Sequence, residues 1–173
     1  MIQLEKFETS DFERFINWID SEKLMYIFAA KEFEYPVTKN QLEIYNKVLN
    51  RIAYKVIHKK TKEIIGHAEL NNIDQNNKSA RICRVLIGNK KYRNKGFGSK
   101  IINELVRIGF HEMDLHRIDL GVYDFNKNAI KCYQNCGFEI EGLFKENIKI
   151  DSEYWSVYNM SILNNNENSK IIR

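Results

Sequence analysis

The segment that most constrains the fold is an apolar run followed by a basic, glycine-containing loop and a second apolar-periodic run. The first run, ARICRVLIG, reads as a strand that stops at Gly88. The loop RNKGFGS follows, and helical spacing of apolar residues then predicts a helix from about Ser99 to Met113. The strand HRIDLGVY comes next, so the connection is long enough for a crossover between parallel strands. A sheet with a parallel strand pair is therefore expected.

The basic loop has three interpretations: a plain helix entrance, a nucleic-acid patch, or a cradle for a phosphorylated cofactor. Gly96 and Gly98 allow backbone angles that turn successive N–H groups toward a ligand, and the next helix adds its positive N-terminal end. The loop is not a Walker loop because no GK[ST] ends it, and its spacing is not GxGxxG. Without interleaved aromatics or a reader motif, nucleic acid is not an expected partner. A phosphate cradle and a structural loop stay open at this point.

Composition limits the class of protein. The 173 residues suit one domain, and 43% are apolar and 29% charged, as in globular proteins. No apolar stretch approaches the roughly 20 residues of a membrane span, and the opening MIQLEKFETSDF lacks a secretory-signal layout. The three cysteines, Cys83, Cys132 and Cys136, are an odd number without metal-ligand pairing. We expect reduced thiols, a cytoplasmic location, no membrane partner and no metal.

Charge is unevenly distributed along the chain. Residues 1–50 hold nine acidic and six basic residues, whereas residues 51–173 hold fourteen acidic and twenty-one basic residues. The acidic first third is either a set of solvated helix faces or a wall that attracts a cationic substrate.

The remaining pattern alternates strands and helices. IQLEKF predicts a strand, SDFERFINWIDS a helix, and residues 21–50 one or two helices interrupted near Pro36. RIAYKVIHK and IIGHAELNNI predict a hairpin, and FEIEGLFKENIKIDSEYWSVYNMSIL a long terminal hairpin. These elements predict an α+β (mixed α/β) fold in a single domain over residues 1–163, with a polar tail at 164–173.

Two motifs in order resemble the GCN5-related N-acetyltransferase (GNAT) superfamily. The first is R-x-x-G-x-G, from Arg93 to Gly98. The second is N-x-x-A-x-x-x-Y-x-x-x-G-F, from Asn126 to Phe138, followed by Glu141-Gly142. The resemblance covers about residues 50–163. It is strongest to the branch with ribosomal-protein N-terminal acetyltransferases (RimJ/RimL-like) and spermidine acetyltransferases.

The resemblance implies a fold and a cofactor site. The implied fold is a central, mostly antiparallel twisted sheet with a splayed parallel strand pair, flanked by helices. The implied cofactor is acetyl-CoA, with its pantetheine along the strand end and contacted by Asn126 from the far side. The strand-end residues are Leu86, Ile87 and Gly88. The pyrophosphate loop comprises Arg93, Asn94, Lys95, Gly96, Phe97, Gly98 and Ser99.

The resemblance also implies a general acid, and the residues themselves suggest candidates for a general base. Tyr133 matches the general acid that protonates the leaving thiolate, although a tyrosine that only packs on its helix is the alternative. Glu69, a carboxylate in an apolar strand, is our candidate general base acting through water, and an exposed strand residue is the alternative. His67 is a weaker candidate on the same strand face, and Asp119 and Asp124 are lesser rivals.

The predicted function is acetyl-CoA-dependent N-acetyl transfer, directly to a primary amine such as a protein N-terminus or a small amine. A polyamine or aminoglycoside acceptor would suit the acidic first third. No cysteine lies at a matched catalytic position, which argues against a covalent enzyme intermediate. The alternative from another class is a non-catalytic acyl-CoA-binding module. The edge of the terminal hairpin makes a homodimer possible.

Overall fold

The structure, a computed structural model, describes residues 1–165 and contains seven strands and five α-helices in that range. The strands are β1 (Ile2–Lys6), β2 (Ile52–His58), β3 (Ile64–Asp74), β4 (Ser79–Ile87), β5 (Arg117–Tyr123), β6 (Glu139–Ile150) and β7 (Glu153–Leu163). The helices are α1 (Phe12–Trp18), α2 (Glu22–Ala29), α3 (Lys39–Asn46), α4 (Phe97–Arg107) and α5 (Lys127–Asn135). Most of the predicted polar tail, residues 166–173, lies outside the described residues.

The strands hydrogen-bond in the order β1-β2-β3-β4-β5-β7-β6. The pairs β1–β2, β2–β3, β5–β7 and β6–β7 are antiparallel. β4 and β5 are parallel, with Ser79 opposite Arg117 and Ile82 opposite Leu120. The predicted mixed sheet with a parallel pair is confirmed.

The chain packs into two compact units. The first contains Met1–Asn71 with Cys83–Ile101, and the second contains Asn72–Ile82 with the described residues from Ile102 onward. Strands β3 and β4 contribute residues to both units. A single domain over residues 1–163 stays a prediction.

The helical part of the first unit encloses an aromatic-rich core. Ser21 caps α2 by accepting a hydrogen bond from the Leu24 N–H at 3.3 Å, and Thr38 caps α3 from the Gln41 N–H at 3.3 Å. The interruption predicted near Pro36 is confirmed, because two helices flank it. Aromatic side chains bury large apolar areas and dominate such a core. The buried cluster is Phe7, Phe12, Phe15, Ile19, Met25, Ala29, Phe33, Val37, Leu42, Tyr45 and Ala53.

The helix after the glycine loop begins and ends earlier than predicted. We expected Ser99–Met113, but α4 spans Phe97–Arg107 and a π-helical turn continues over Ile108–Glu112. Glycine at position 96, with φ +74°, turns the chain directly into the helix, so the first turn needs no further loop residues. The wider turn at the end changes the helical phase while keeping apolar residues buried.

A single carboxylate connects β6, at one edge of the sheet, to the next two strands. Glu141 lies at a bulge in β6 and accepts hydrogen bonds from both terminal nitrogens of Arg117, each at 2.6 Å. It also accepts from Ser161 Oγ at 2.7 Å and Asn159 Nδ2 at 2.9 Å. These bonds, led by that of Arg117, lower the pKa of Glu141 to about 2. The glutamate therefore joins β6 to both β5 and β7.

Candidate active site

The predicted pyrophosphate loop presents main chain rather than side chains. Asn94 has φ +58° and Gly96 has φ +74°, so two nearby residues adopt the left-handed conformation. Alternation of such residues with right-handed ones turns N–H groups toward one concave side. Asn94, Lys95 and Gly96 are all exposed, and α4 begins directly afterwards with its unpaired N–H groups.

This loop fits an anionic group. A Cβ atom built on Gly96 meets no other atom within 4 Å, so the space in front of the main chain is open. A phosphate oxygen can approach such a position as closely as its van der Waals radius allows. Lys95 adds positive charge at the same exposed position. The loop residues therefore suit the pyrophosphate of coenzyme A.

Arg93, which we expected among the cofactor contacts, points back to the strand. Its Nε donates to the Ile87 carbonyl at 2.9 Å, and a terminal nitrogen lies 3.5 Å from the Gly88 carbonyl. The guanidinium thus satisfies carbonyls at the end of β4, where no further strand residue can do so. Any bond from Ile87 to pantetheine would use its N–H group or share this carbonyl.

The end of β4 is closely packed on two sides. A Cβ on Gly88 would lie 1.9 Å from the Trp18 ring, so only glycine fits beneath that indole. A Cβ on Gly66 in β3 would lie 2.4 Å from the carbonyl oxygen of Leu86. These contacts fix the backbone of Leu86–Gly88, the stretch predicted to bind pantetheine.

Glu69, the candidate base, lies in β3 and is completely buried. It accepts hydrogen bonds from the Tyr45 hydroxyl and from Arg84, and Arg51 Nε lies 3.5 Å away. Burial raises the pKa of Glu69, while Arg84 and then Tyr45 and Arg51 oppose that rise. The structure thus rules out the alternative of an exposed strand residue, and Glu69 as base stays a prediction.

His67, the weaker candidate, is also completely buried. Burial, followed by the charges of Arg84 and Arg51, lowers the pKa of His67 to about 3. Tyr45 donates its proton to Glu69, so His67 must donate from Nε2 to the Tyr45 oxygen, 2.9 Å away. His67 Nδ1 has no hydrogen-bond partner among the described residues.

Three residues around Glu69 were missed by sequence reasoning: Tyr45, Arg51 and Arg84. Glu32 was considered only as part of the acidic first third. Arg84 binds both Glu69 and Glu32, and Arg51 binds Glu32 at 2.8 Å. Arg84 also has φ +49°, an uncommon conformation for a non-glycine residue inside a strand. The signal in the sequence was an arginine within the apolar run RICRVLI, since a buried charge needs a partner.

The second motif frames Tyr133 on α5 in the second unit. Asn126 caps that helix by accepting a hydrogen bond from the Ala129 N–H at 3.3 Å. The helix ends at Asn135, Gly137 follows with φ +89°, and the Phe138 N–H donates to the Tyr133 carbonyl at 3.1 Å. Tyr133 is half-buried, with its ring centroid 6.4 Å from that of Phe138. The motif is therefore also a set of helix-ending signals around the tyrosine.

The two lesser carboxylates have other surroundings. Asp119 pairs with Arg81 and lies 3.8 Å from Arg117, all within the second unit. Asp124 is half-buried, and its N–H donates to the Ser156 carbonyl at 3.1 Å. Neither has the buried environment that raises the pKa of Glu69.

Comparisons with known proteins bear directly on this site. The sequence matches the acetyltransferase (GNAT) family over residues 5–138, which include both motifs up to Phe138. The uncharacterized N-acetyltransferase p20 of Bacillus licheniformis is 29% identical over 168 residues, covering 94% of this chain and 92% of that protein. The spermidine N(1)-acetyltransferase of Vibrio cholerae is 33% identical over 123 residues, covering 70% of each chain.

A solved structure extends the similarity to nearly the whole chain. The crystal structure of spermidine N-acetyltransferase from Vibrio cholerae, in complex with CoA and spermine, matches with a TM-score of 0.83. Sequence identity is 29%, and the match covers 99% of this chain and 98% of that one.

Proposed function

The chain belongs to the GNAT family of acetyltransferases and uses acetyl-CoA to acetylate an amine, and we propose that this amine belongs to a polyamine. The prediction of an N-acetyltransferase is confirmed, and so is the prediction of its cofactor. The identity of the acceptor amine is the part that we propose.

The observation that carries the proposal is a cleft in the helical part of the first unit. Its volume is about 280 Å³. Its lining combines two carboxylates, apolar and aromatic side chains, one amide and one lysine: Glu32, Glu34, Phe33, Ile44, Tyr45, Val48, Gln41 and Lys31. A polyamine alternates ammonium groups with methylene chains, so it needs both kinds of lining at once. Such a concave mixture of apolar walls and a few charged groups is typical of small-molecule sites.

Glu34 is the carboxylate in this cleft that we expect to meet a ligand. Glu32 already binds Arg51 and Arg84, whereas Glu34 is exposed and forms no ion pair within the described chain. Its backbone is held by Gln41, which accepts from the Glu34 N–H at 2.9 Å and donates to the Glu34 carbonyl at 3.1 Å. The loop thus presents Glu34 at a fixed position with its charge available.

Relatives support the same acceptor class. A spermidine N(1)-acetyltransferase is among the similar sequences, and the CoA- and spermine-bound enzyme matches over nearly all of this chain. The acidic first third predicted from the sequence coincides with the region that contains the cleft.

For the chemistry, acetyl-CoA supplies an acetyl group activated as a thioester. We propose that Glu69 accepts a proton from the attacking ammonium group through water, since its own carboxylate is enclosed. The raised pKa of Glu69 makes it a stronger base than a solvated glutamate. We propose that Tyr133 donates a proton to the leaving sulfur.

Acceptor identity is tested by following thiol release from acetyl-CoA with a panel of amines. We expect turnover with spermidine and spermine, and little with N-terminal peptides, amino acids or aminoglycosides. Turnover confined to peptides would contradict the polyamine proposal while leaving the acetyltransferase intact.

The cleft is tested by Glu34→Gln. We expect the KM for spermidine to rise about tenfold with kcat kept, because one unit of charge attraction is lost. We expect the KM of the unchanged enzyme for spermidine to rise with salt, because salt screens the attraction between charges. This salt dependence should be weaker in the variant. The control is Glu13→Gln, which removes an exposed carboxylate from α1. Equal effects in the two variants would contradict a specific role for Glu34.

The catalytic assignments are tested by Tyr133→Phe and Glu69→Gln. Each is expected to lower kcat by about a hundredfold or more, the usual contribution of a general acid or base. Because Glu69 must be deprotonated to act as a base, we expect kcat of the unchanged enzyme to rise with pH. Glu69→Gln should remove this rise, and Asp119→Asn should retain it. A Tyr133→Phe variant with full activity would remove the acid role.

We also propose that the enzyme self-associates along β6. This strand is last in the sheet order, and Ile140, Leu143 and Phe144 are exposed apolar residues on it. An unpaired strand edge with exposed apolar side chains favours pairing with a second copy. Leu143→Lys should yield a smaller species in sedimentation, whereas an unchanged mass would contradict this surface.

No helix among the described residues is long and apolar enough to cross a membrane. The cytoplasmic location stays a proposal, and it rests on three cysteines that form no disulfide within the described chain, Cys83, Cys132 and Cys136.

A further inference from the structure

A chain of hydrogen bonds joins the turn between β2 and β3 to the start of the pyrophosphate loop. His58 Nδ1 lies 2.9 Å from Thr61 Oγ1, and Thr61 Oγ1 lies 3.0 Å from the Tyr92 hydroxyl. Tyr92 donates in turn to Glu63 Oε2. All four residues belong to the first unit, together with the loop itself.

The protons in this chain run in one direction. Tyr92 uses its only proton for Glu63, so its oxygen must accept from Thr61. Thr61 has then used its proton, so its oxygen must accept from the N–H of His58 Nδ1. Each hydroxyl both donates and accepts, and a carboxylate ends the chain, which makes the set stronger than separate bonds.

The same carboxylate also binds Lys91, a lysine just before the pyrophosphate loop. Glu63 forms an ion pair with Lys91 through its other oxygen. The bonds from Lys91 and then Tyr92 lower the pKa of Glu63 to about 2, so it stays ionised at neutral pH. Lys91 is therefore held at the turn between β2 and β3. Contacts to the anion then come from the main chain of the loop that follows.

Ring packing connects these hydrogen-bonded residues to Phe97, the first residue of α4. The Tyr92 ring centroid lies 5.4 Å from that of Phe97, at 78°, and His58 lies 5.4 Å from Phe97, at 89°. Phe97 and Tyr92 are both buried. The left-handed residues Asn94 and Gly96 lie between these two fixed aromatic positions.

We propose that Thr61, Glu63 and Tyr92 are positioning residues for the pyrophosphate of coenzyme A. They hold the loop between Tyr92 and Phe97 in its binding shape before the cofactor arrives, so binding does not have to order it. None of the three is required to touch the cofactor. The inference rests on the use of acetyl-CoA and is independent of which amine is acetylated.

The test compares direct binding of two ligands to the full chain. Calorimetry gives the Kd of CoA, and displacement of CoA gives the Kd of pantetheine, which lacks the pyrophosphate. Tyr92→Phe keeps the ring but removes the hydroxyl, and Thr61→Val keeps the shape of the threonine. In each variant we expect the Kd of CoA to rise about tenfold and that of pantetheine to change less than about twofold.

The matched control is Tyr26→Phe. Tyr26 donates to Glu22 at 3.1 Å in α2, so this variant also removes a tyrosine–glutamate bond without touching the hairpin turn. Its Kd for CoA should equal that of the unchanged protein. A general loss of packing would weaken binding of CoA and pantetheine alike, and that result would overturn the positioning role.

A double variant separates a connected chain from two independent contacts. Because Thr61 and Tyr92 share one bond, Tyr92→Phe with Thr61→Val should weaken CoA binding by much less than the product of the single effects. Fully multiplicative effects, or an unchanged Kd in the single variants, would overturn the proposal. Absence of CoA binding by the unchanged protein would instead contradict the acetyltransferase function.

Discussion

Glu69 in β3 and Glu141 in β6 accept hydrogen bonds from the same kinds of group, an arginine and a hydroxyl, yet their pKa values shift in opposite directions. Burial raises the pKa of Glu69, whereas Arg117 and its other partners lower that of Glu141 to about 2. Glu69 is completely buried, and the Glu141 side chain is 40% exposed. Loss of hydration therefore outweighs favourable partners in one unit, and water leaves the partners dominant in the other.

This difference distinguishes a carboxylate suited to catalysis, Glu69, from one suited to holding strands together, Glu141. A carboxylate whose charge is costly is ready to take up a proton, which suits a base. A carboxylate whose charge is secure serves as a fixed acceptor between strands. The two positions carry the same residue type, so only the surroundings distinguish them.

The largest effect should come from Glu69→Gln on stability. The change puts an amide among the donors of Tyr45, Arg84 and Arg51, and it leaves Arg84 paired with Glu32 but not with a second carboxylate at position 69. Removing one partner from a buried charged cluster typically costs about 3–5 kcal/mol. Urea unfolding of the variant measures this free energy. A loss below about 1 kcal/mol would show that the buried ion cluster tolerates a neutral partner.

Tyr45→Phe should have the next largest effect. It removes a hydroxyl that serves both Glu69 and His67, and it leaves two buried polar groups short of a partner. The expected loss is about 1–3 kcal/mol. Tyr26→Phe is the control, because its bond to Glu22 is exposed and should contribute less. Equal losses in the two variants would mean that burial does not set the cost.

Glu141→Gln should cost about 1 kcal/mol or less, since water screens an exposed pair. High salt should reduce that difference, because exposed charges are screened, and should leave the Glu69→Gln difference nearly unchanged. Unfolding midpoints at low and high sodium chloride measure both. A salt-independent Glu141→Gln difference would contradict the solvated description of this pair.

The smallest and most discriminating effect concerns pH. The folded pKa of Glu141 is lowered, so its stabilisation is present above the unfolded value of about 4.3 and is lost as pH falls toward 2. The folded pKa of Glu69 is raised, so its ionisation destabilises the fold as pH rises above about 4.3. The Glu141→Gln difference should shrink on acidification, and the Glu69→Gln difference should grow. If the two differences in unfolding free energy changed with pH in the same direction, the contrast between Glu69 and Glu141 would be wrong.

Much of the fold was accessible from sequence because its signals are local. The glycine loop, the strand before it and the Asn126–Phe138 frame are read from neighbouring residues, and their periodicity and turn chemistry predicted the mixed sheet. The start of α4 was wrong by two residues because glycine at position 96 enters the helix directly.

The surroundings of the candidate base were not accessible in this way. Glu69 is bonded by Tyr45, 24 residues earlier, and by Arg84, 15 residues later, and Arg84 reaches Glu32 across 52 residues. Such partners depend on how α3 and β4 pack on β3, which no local pattern reports. Arg93 is similar, since its sequence position did not reveal that its guanidinium turns back to Ile87.

The contact of Trp18 with Gly88 links two positions that are far apart in the chain. A Cβ at position 88 would enter the indole ring, and a smaller residue at position 18 would leave space over the glycine. Acceptable substitutions at the two positions are therefore paired: a larger residue at 88 requires a smaller one at 18. A single substitution at either position would therefore produce a clash or a void. We expect substitutions at positions 18 and 88 to occur together and to be rare.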